Sequence, residues 1–182
     1  GFFLCEIKLY RIGDSDPAPQ FKIIEQPNDF VKIVKAASKN SDMNESQKNR
    51  LEFWTQFNEV VDSQGKPFNK RKATTDHWYN VAIGSSDASI SIDLVNKEHR
   101  IRVSLWINDN KDIFDALFQR KDEIETALGF GLEWNRLDNK KASYICTYIK
   151  GLDFKKQDNY PMLMEQIVDL VLKMRNVFPK FM

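Results

Sequence analysis

The sequence predicts an α+β domain in which long helices cover one face of an antiparallel sheet of about five strands. Three observations lead to this prediction. Strand-like segments with alternating apolar and polar residues occur as two hairpins, and each hairpin is followed by a long amphipathic segment. Glycine and proline are scarce, at 7 and 6 of 182 residues, which favours long regular elements with short connections. The expected order is a helix, a strand and then two hairpin–helix units.

Two strand-like runs lie near the beginning of the chain, at residues 2–10 and 21–24. The connector at residues 13–19 is rich in turn-forming residues and contains two prolines, so no helix crosses it. Asn28 then provides an N-cap for a short helix with an apolar stripe that reaches Ala37.

The chain begins at Gly1, inside an apolar run and without an initiating Met. Because a native N-terminus rarely starts inside a strand, we expect an excised fragment whose upstream partner is missing. Residues 38–44 are polar and mark the expected boundary. We therefore predict that residues 1–40 are the tail of an upstream domain with its connector, and that residues 41–182 form a C-terminal α+β domain.

A strongly amphipathic helix is predicted from about Asn44 to Ser63. Asp42 and Glu45 have the spacing of a capping box, and Gly65 follows as the stop signal together with a proline. The residues of its apolar stripe are Leu51, Trp54, Phe57 and Val61, widened by Phe53 and Val60.

A strand candidate at residues 78–83 precedes the first hairpin, which has the most regular pattern in the chain. Its apolar residues, which alternate with serine, aspartate and arginine, are Ile90, Ile92, Leu94, Ile101, Val103 and Leu105. This alternation predicts a sheet with one face on the core and one face in water. A second hairpin is predicted at residues 132–136 and 142–149, with its turn at 138–140.

Two further helices complete the predicted fold. The first has its cap at Asn108 or Asp109 and runs through Leu128. The second opens around Pro161, which a first helical turn tolerates, and Pro179 stops it. The residues expected to be buried are Ile113, Leu117, Ile124 and Leu128 in the first helix and Leu163, Ile167, Leu170, Met174 and Val177 in the second.

Composition limits the classes of partner. The net charge is +1, from 27 basic and 26 acidic residues, so any contact with nucleic acid must come from a local patch. Cys5 and Cys146 lie in apolar runs, which indicates buried thiols in a reducing compartment, and His77 and His99 lack metal-site spacing. No apolar run approaches the ~20 residues of a membrane span. We expect a cytoplasmic protein without a cofactor, a bound metal or a membrane contact.

Glu6-Ile-Lys8 matches the E-x-K core of restriction-type nucleases, in which carboxylates hold Mg²⁺ and the lysine helps to activate water. Positions 6 and 8 share one face of a strand, as that chemistry requires. The motif also needs an acidic residue on a preceding strand, and only five residues precede Glu6. We favour a solvated face of an edge strand and assign no catalytic residue, and we rank an autonomous Mg²⁺-dependent nuclease last.

The acidic residues between Asp109 and Glu125 suggest a second candidate metal site. They belong to the predicted helix 108–128, where Lys111 with Asp115, and Lys121 with Glu125, have the i,i+4 spacing of ion pairs. We therefore predict a solvated helix face.

The most basic segment of the chain is the loop at residues 66–72. Phe68, His77 and Trp78 flank its cations and supply aromatic faces, a combination typical of surfaces that follow a phosphate backbone and stack on unpaired bases. Ordinary protection of a sheet edge by lysine is the alternative. The predicted nucleic-acid-binding residues, in this loop and in the first hairpin, are Lys66, Lys70, Arg71, Lys72, Lys97, Arg100 and Arg102.

Three segments in the C-terminal part resemble a prokaryotic domain family of unknown function, namely Arg50–Trp54 (RLEFW), Lys121–Glu125 (KDEIE) and Gly129–Ile145 (GFGLEWNRLDNKKASYI). That domain commonly follows a restriction-endonuclease-like (PD-(D/E)xK-type) domain. Residues 11–15, 17–21 and 27–28 are similar to the segment that joins the two. The resemblance implies that residues 1–40 are the tail of a nuclease-like domain. It implies no catalytic residues for this chain.

The leading hypothesis is a non-catalytic accessory domain of a nuclease-like protein that helps to engage nucleic acid. Its expected partners are nucleic acid and the upstream nuclease-like domain of the same chain. The alternative is a protein-interaction or dimerisation module, with a second copy of the chain as its partner. In that case Trp106, Phe118 and Phe178 would form an exposed apolar patch.

Overall fold

The computed structural model describes residues 4–10, 18–25 and 43–182, and the contacts divide the chain into the units Gly1–Lys48 and Asn49–Met182. In the first unit, β1 (Leu4–Tyr10) pairs antiparallel with β2 (Ala18–Glu25), in agreement with the two predicted strands. The helix predicted at residues 28–37 lies outside the described residues, as do the side chains of Cys5 and Glu6.

The first described helix, α1 (Glu45–Ser63), has the predicted extent. Asp42 lies outside the described residues, and the reciprocal capping bonds join Asn44 and Gln47. The Gln47 amide donates to Asn44 Oδ1, and the Asn44 amide donates to Gln47 Oε1, both at 2.9 Å. The helix ends at Ser63, and Gly65, with a φ of 79°, closes the turn after it in the left-handed region.

The second unit contains five strands, β3 (Trp78–Ala82), β4 (Ala88–Val95), β5 (Arg100–Ile107), β6 (Glu133–Asn135) and β7 (Ser143–Lys150). They form an antiparallel sheet in the order β3-β4-β5-β7-β6, which confirms the predicted fold class. The register aligns Trp78 with Asp93 and Asp93 with Arg102, so residues far apart in the sequence form straight rows across the sheet.

One face of the sheet, here called the helix face, is packed against the helices. Its apolar residues in β3, β4 and β5, all of them buried, are Tyr79, Val81, Ala88, Ile90, Ile92, Leu94, Ile101, Val103, Leu105 and Ile107. The ring of Trp54 in α1 lies 5.2 Å from that of Tyr79. The last helix, α4 (Tyr160–Val177), contacts the three central strands. This layer forms the hydrophobic core.

The predicted continuous helix 108–128 is wrong in two respects. The chain forms two helices, α2 (Lys111–Gln119) and α3 (Lys121–Leu128), and the N-cap is Asn110, which accepts a bond from the Ile113 amide. The segment 111–128 contains no Gly or Pro that would announce the break. In one continuous helix, Lys121 would fall on the apolar stripe halfway between Leu117 and Ile124, and the break removes it from that position.

The predicted pairing of Lys111 with Asp115 is also wrong. Lys111 Nζ instead donates to the turn before β7, to the carbonyls of Leu137 (3.2 Å) and Ala142 (3.0 Å) and to Ser143 Oγ (2.8 Å). Asp115 pairs with Arg136 at 2.7 Å, and the hydrogen bond from Arg136 lowers the pKa of this carboxyl. The predicted pair of Lys121 and Glu125 is present at 4.0 Å.

The predicted set of buried helical residues is largely confirmed. Ile113 and Leu170 are only half-buried, and their neighbours Phe114 and Val171 are buried in their place. Phe178, which the alternative hypothesis would place in an exposed patch, is fully buried at the start of a short 3-10 helix, Phe178–Lys180. In the part of the chain that the structure describes, none of the helices has the length and apolar character of a membrane span.

Candidate functional site

The basic loop 66–72 is less positive than its sequence suggests. Lys66 and Lys70 both pair with the carboxylate of Asp62 at the end of α1, and Arg71 pairs with Asp76 at 3.6 Å. Lys72 is exposed and has no ion pair among the described residues. Two carboxylates therefore accompany the four cations of the loop.

Arg71 connects this loop to the sheet. Its guanidinium carbon lies 4.2 Å from the centre of the Trp78 ring, a cation–π contact at the start of the edge strand β3. The ring of Phe68, expected to be available for stacking, is buried against Phe57 at a centroid distance of 6.4 Å. Of the three aromatic residues proposed beside the loop, His77 is exposed and Trp78 is half-buried.

The hairpin residues of the predicted site point along the other face of the sheet, here called the outer face. Arg100 pairs with Glu98, and its guanidinium carbon lies 3.9 Å from the ring centre of Tyr148. The guanidinium carbon of Arg102 lies 4.7 Å from the ring centre of Tyr144. Lys97 is exposed in the 3-10 turn between the strands. The structure therefore brings Arg71, Arg100 and Arg102 to one face and leaves Lys66 and Lys70 beside α1.

Strand register determines which other residues share the outer face. Its members, read strand by strand, are Trp78 and Asn80 in β3, Ser89, Ser91 and Asp93 in β4, Arg100, Arg102, Ser104 and Trp106 in β5, and Tyr144, Cys146 and Tyr148 in β7. The rings of Trp106 and Tyr144 are parallel, with an interplanar angle of 1° and centroids 6.2 Å apart. Four aromatic rings and two arginines of the sheet thus lie side by side.

The predicted wet face is drier than expected at its centre. Ser91 and Asp93 are each 6% exposed, and Ser104 and Cys146 are 0% exposed. The larger side chains around them shield these small residues from water. The outer face is therefore a layer of polar groups under a partial cover of rings and guanidinium groups.

A hollow of about 340 Å³ opens on this face toward β3. Its lining residues are His77, Trp78, Asn80, Ser91, Asp93, Arg102 and Trp106. Asp93 Oδ2 accepts bonds from Ser91 Oγ at 3.1 Å and from Arg102 Nε at 3.3 Å. Burial lowers the pKa of Arg102, but the charge of Asp93 and its hydrogen bond outweigh that effect and the pKa is raised. Arg102 is therefore a fixed cation.

At the β6–β7 edge, the outer face contains a thiol, a phenol and a carboxylate. Tyr148 donates to Glu133 Oε2 at 3.0 Å, and Cys146 Sγ lies 4.0 Å from the same oxygen. Burial is the main cause that raises the pKa of the Cys146 thiol, which keeps it protonated and therefore a poor nucleophile. Within the described ranges, no three His, Cys, Asp or Glu side chains are grouped so as to hold a metal ion.

Sequence reasoning did not assign Asp93, Tyr144 or Tyr148 to the site. The signal was present in the alternation of β7, which places Tyr144, Cys146 and Tyr148 on one face. The sequence pattern did not indicate that β7 pairs with β5 as well as with β6. Only the pairing with β5 brings both tyrosines beside the arginines.

Exposed apolar residues lie on the helical side of the unit. Phe118 is 51% exposed and Met162 is 52% exposed. The Phe118 ring packs edge-on against Trp134, with centroids 5.6 Å apart. Of the three residues predicted for an apolar patch, Phe118 is exposed, Trp106 is half-buried on the outer face and Phe178 is buried. They do not form one patch.

Comparisons with known proteins give one structural likeness and one family. The structural likeness is to the crystal structure of YbjN, a candidate transcription regulator from E. coli, at 12% sequence identity and a TM-score of 0.34, over 66% of this chain and 89% of that one. A likeness at this TM-score carries no argument about function. The search of curated proteins gives no match. The family profile matches residues 49–182, so the chain belongs to the family described as "Domain of unknown function (DUF4268)".

Proposed function

We propose that this DUF4268 domain is a non-catalytic module that engages single-stranded nucleic acid through the outer face of its sheet. The observation that carries the proposal is the combination of Trp78, Trp106, Tyr144 and Tyr148 with Arg71, Arg100 and Arg102 on one face. Aromatic rings stack on unpaired bases of any sequence, and cations beside them neutralise the backbone.

The geometry favours a single strand over a duplex. The aromatic rings of the sheet can stack only on bases whose faces are free. In a duplex the faces of each base are already stacked on its neighbours. The net charge of +1 also disfavours a protein that covers long stretches of duplex with cations. As part of the same proposal, residues 1–40 are the tail of an upstream nuclease-like domain, to which the domain 41–182 serves as an accessory.

The experiment is a titration of a labelled 20-nucleotide single strand with the full chain, followed by fluorescence anisotropy at several salt concentrations. The test variant is Lys72→Glu with Lys97→Glu, because both side chains are exposed and neither has an ion pair among the described residues. We expect affinity to fall roughly tenfold at low salt, and the slope of log K against log [salt] to fall by about 0.7 for each lost phosphate contact.

The matched control is Lys173→Glu with Lys180→Glu. These lysines are exposed in and after α4, which packs on the helix face, so they lie away from the outer face. The control should bind as the unmodified protein does. Equal losses in both variants would show a general charge effect, and no binding by the unmodified chain at low salt would contradict the proposed function.

The exposed Phe118 and Met162 favour a second candidate, a module for protein interaction or self-association. Light scattering over a hundredfold range of concentration tests it. A mass that rises with concentration, and that Phe118→Ser returns to the monomer value, would support this candidate. A constant monomer mass would contradict self-association.

A further inference from the structure

The hollow on the outer face has the size and walls of a site for one planar ring. Its volume of about 340 Å³ lies within the range of roughly 300–1,000 Å³ that small-molecule sites occupy. Trp78 pairs with Asp93 and Trp106 pairs with Ser89, so the two tryptophans lie on opposite sides of β4 and four residues apart along it. Both indoles are half-buried, so each presents part of its ring to an incoming ligand.

Asp93 supplies a hydrogen-bond acceptor in this hollow. Ser91 Oγ and Arg102 Nε donate to Oδ2, and Arg102 Nη2 lies 3.3 Å from the same oxygen. Oδ1 has no hydrogen-bond partner among the residues that the structure describes. A carboxylate side chain that is only 8% exposed gains much from a further donor at its second oxygen. The ligand group that fits here is therefore an N–H or O–H donor.

The surrounding charge argues against a cationic donor. Arg102 lies directly beside Asp93, and the guanidinium of Arg71 lies over Trp78. An ammonium ligand would enter a region where cations already surround the single carboxylate of the hollow. A neutral ring attached to a phosphate backbone gains from the same cations.

We propose that the hollow holds one unstacked nucleobase of the bound strand and selects bases with an exocyclic amino group, which donates to Asp93. Cytosine and adenine carry such a group, and guanine carries one on its other edge. Thymine and uracil have a carbonyl oxygen at the equivalent position. This oxygen has no proton to donate, and its partial negative charge is repelled by the carboxylate. This inference rests on the proposed function, because the phosphate backbone must bring the base to the hollow.

The probe is a pair of labelled single strands, oligo-dC and oligo-dU of equal length, titrated into the full chain at constant salt. The two differ at C4, where cytosine has an amino group and uracil a carbonyl, and at the adjacent N3, which carries a proton only in uracil. We expect oligo-dC to bind about tenfold more tightly, the effect of one hydrogen bond to a charged acceptor. In Asp93→Asn this preference should fall to about one. The affinity for oligo-dU should be retained or should rise, because a negative charge is removed.

Two variants separate a local effect from a general one. Glu98→Gln removes the carboxylate that pairs with Arg100 outside the lining of the hollow, and it should retain the preference for oligo-dC. Glu123→Gln removes an exposed carboxylate of α3 that pairs with Arg120, and it should also retain the preference. If Asp93→Asn does not fold, the comparison of oligo-dC with oligo-dU on the unmodified chain still tests the inference.

The outcomes distinguish the two proposals. Equal binding of oligo-dC and oligo-dU by the unmodified chain overturns the selective hollow and leaves the proposed function intact. A preference that persists in Asp93→Asn, or that is lost in Glu98→Gln, overturns the role of Asp93. Failure of both strands to bind at low salt overturns the proposed function itself.

Discussion

Arg71 holds the basic loop to both faces of the edge strand through two consecutive residues of that strand. Its guanidinium carbon lies 4.2 Å from the centre of the Trp78 ring on the outer face. Its backbone amide donates to the Tyr79 hydroxyl on the helix face at 2.8 Å. That hydroxyl in turn donates to Asn58 Oδ1 of α1 at 2.9 Å. The position of the loop therefore depends on the packing of α1 against β3.

This chain of hydrogen bonds gives a first prediction. Tyr79→Phe removes the hydroxyl and leaves the Arg71 amide and Asn58 Oδ1 without their partner in a partly buried place. We expect the free energy of unfolding to fall by about 1–3 kcal/mol, the cost of leaving buried polar groups unpaired. Urea unfolding followed by circular dichroism measures it. A variant as stable as the original protein would show that water satisfies both groups.

The same substitution at Tyr160 should have the opposite result. The Tyr160 hydroxyl is buried and has no hydrogen-bond partner among the described residues. Its ring packs edge-on against Phe53, with centroids 5.0 Å apart, and Tyr160→Phe preserves that contact. We expect stability to be unchanged or to rise by up to about 1 kcal/mol. A loss of more than 1 kcal/mol in the same urea assay would reveal a partner for this hydroxyl.

The two tyrosines also predict how stability depends on alkaline pH. Burial raises the pKa of Tyr160, and it raises that of Tyr79 above 10.0 although the hydrogen bond from the Arg71 amide acts in the lowering direction. In the unfolded chain both groups ionise near their ordinary value of about 10. The stability that the neutral forms provide is therefore complete below about pH 10 and is lost as pH rises through the folded values.

Urea unfolding at intervals between pH 8 and pH 11 tests the direction of this effect. Above about pH 10, each tyrosine that stays neutral in the folded state makes the free energy of unfolding fall by up to about 1.4 kcal/mol more per pH unit. Tyr160→Phe should make the decline shallower by one such contribution. Tyr10→Phe, at an exposed position of β1, is the control that should leave the slope unchanged.

Local patterns predicted the fold well where a single element decided the outcome. The alternation of Ile90, Ile92 and Leu94 determines which face of β4 is buried, because a shift by one residue would expose all three. The pairing of Lys121 with Glu125 depends only on helical spacing and is present. The predicted partner of the Lys111 side chain was wrong because the carbonyls of Leu137 and Ala142, which accept its hydrogen bonds, lie more than 25 residues away in the sequence. No helical rule contains that information.

The candidate site was predictable only in part, for a similar reason. Local charge identified Arg71, Arg100 and Arg102, but it gave equal weight to Lys66 and Lys70, which α1 neutralises through Asp62. The rings beside Arg100 and Arg102 come from β5 and β7, and their alignment depends on a strand pairing that crosses two helices and β6. Composition within one segment cannot specify that pairing.

The contacts of Lys111 give the final prediction. Its ammonium group, at the start of α2, donates to the carbonyls of Leu137 and Ala142 and to Ser143 Oγ, so one side chain satisfies several acceptors of the turn before β7. Lys111→Met keeps most of the aliphatic stem and removes all of these donors. We expect a loss of about 1–3 kcal/mol in stability, together with faster hydrogen exchange at the amides of residues 137–143. The control is Lys121→Met, whose ion pair with Glu125 at 4.0 Å is partly exposed and should contribute no more than about 0.5 kcal/mol. Equal losses in the two variants, or unchanged exchange in the turn, would show that the turn keeps its conformation without Lys111.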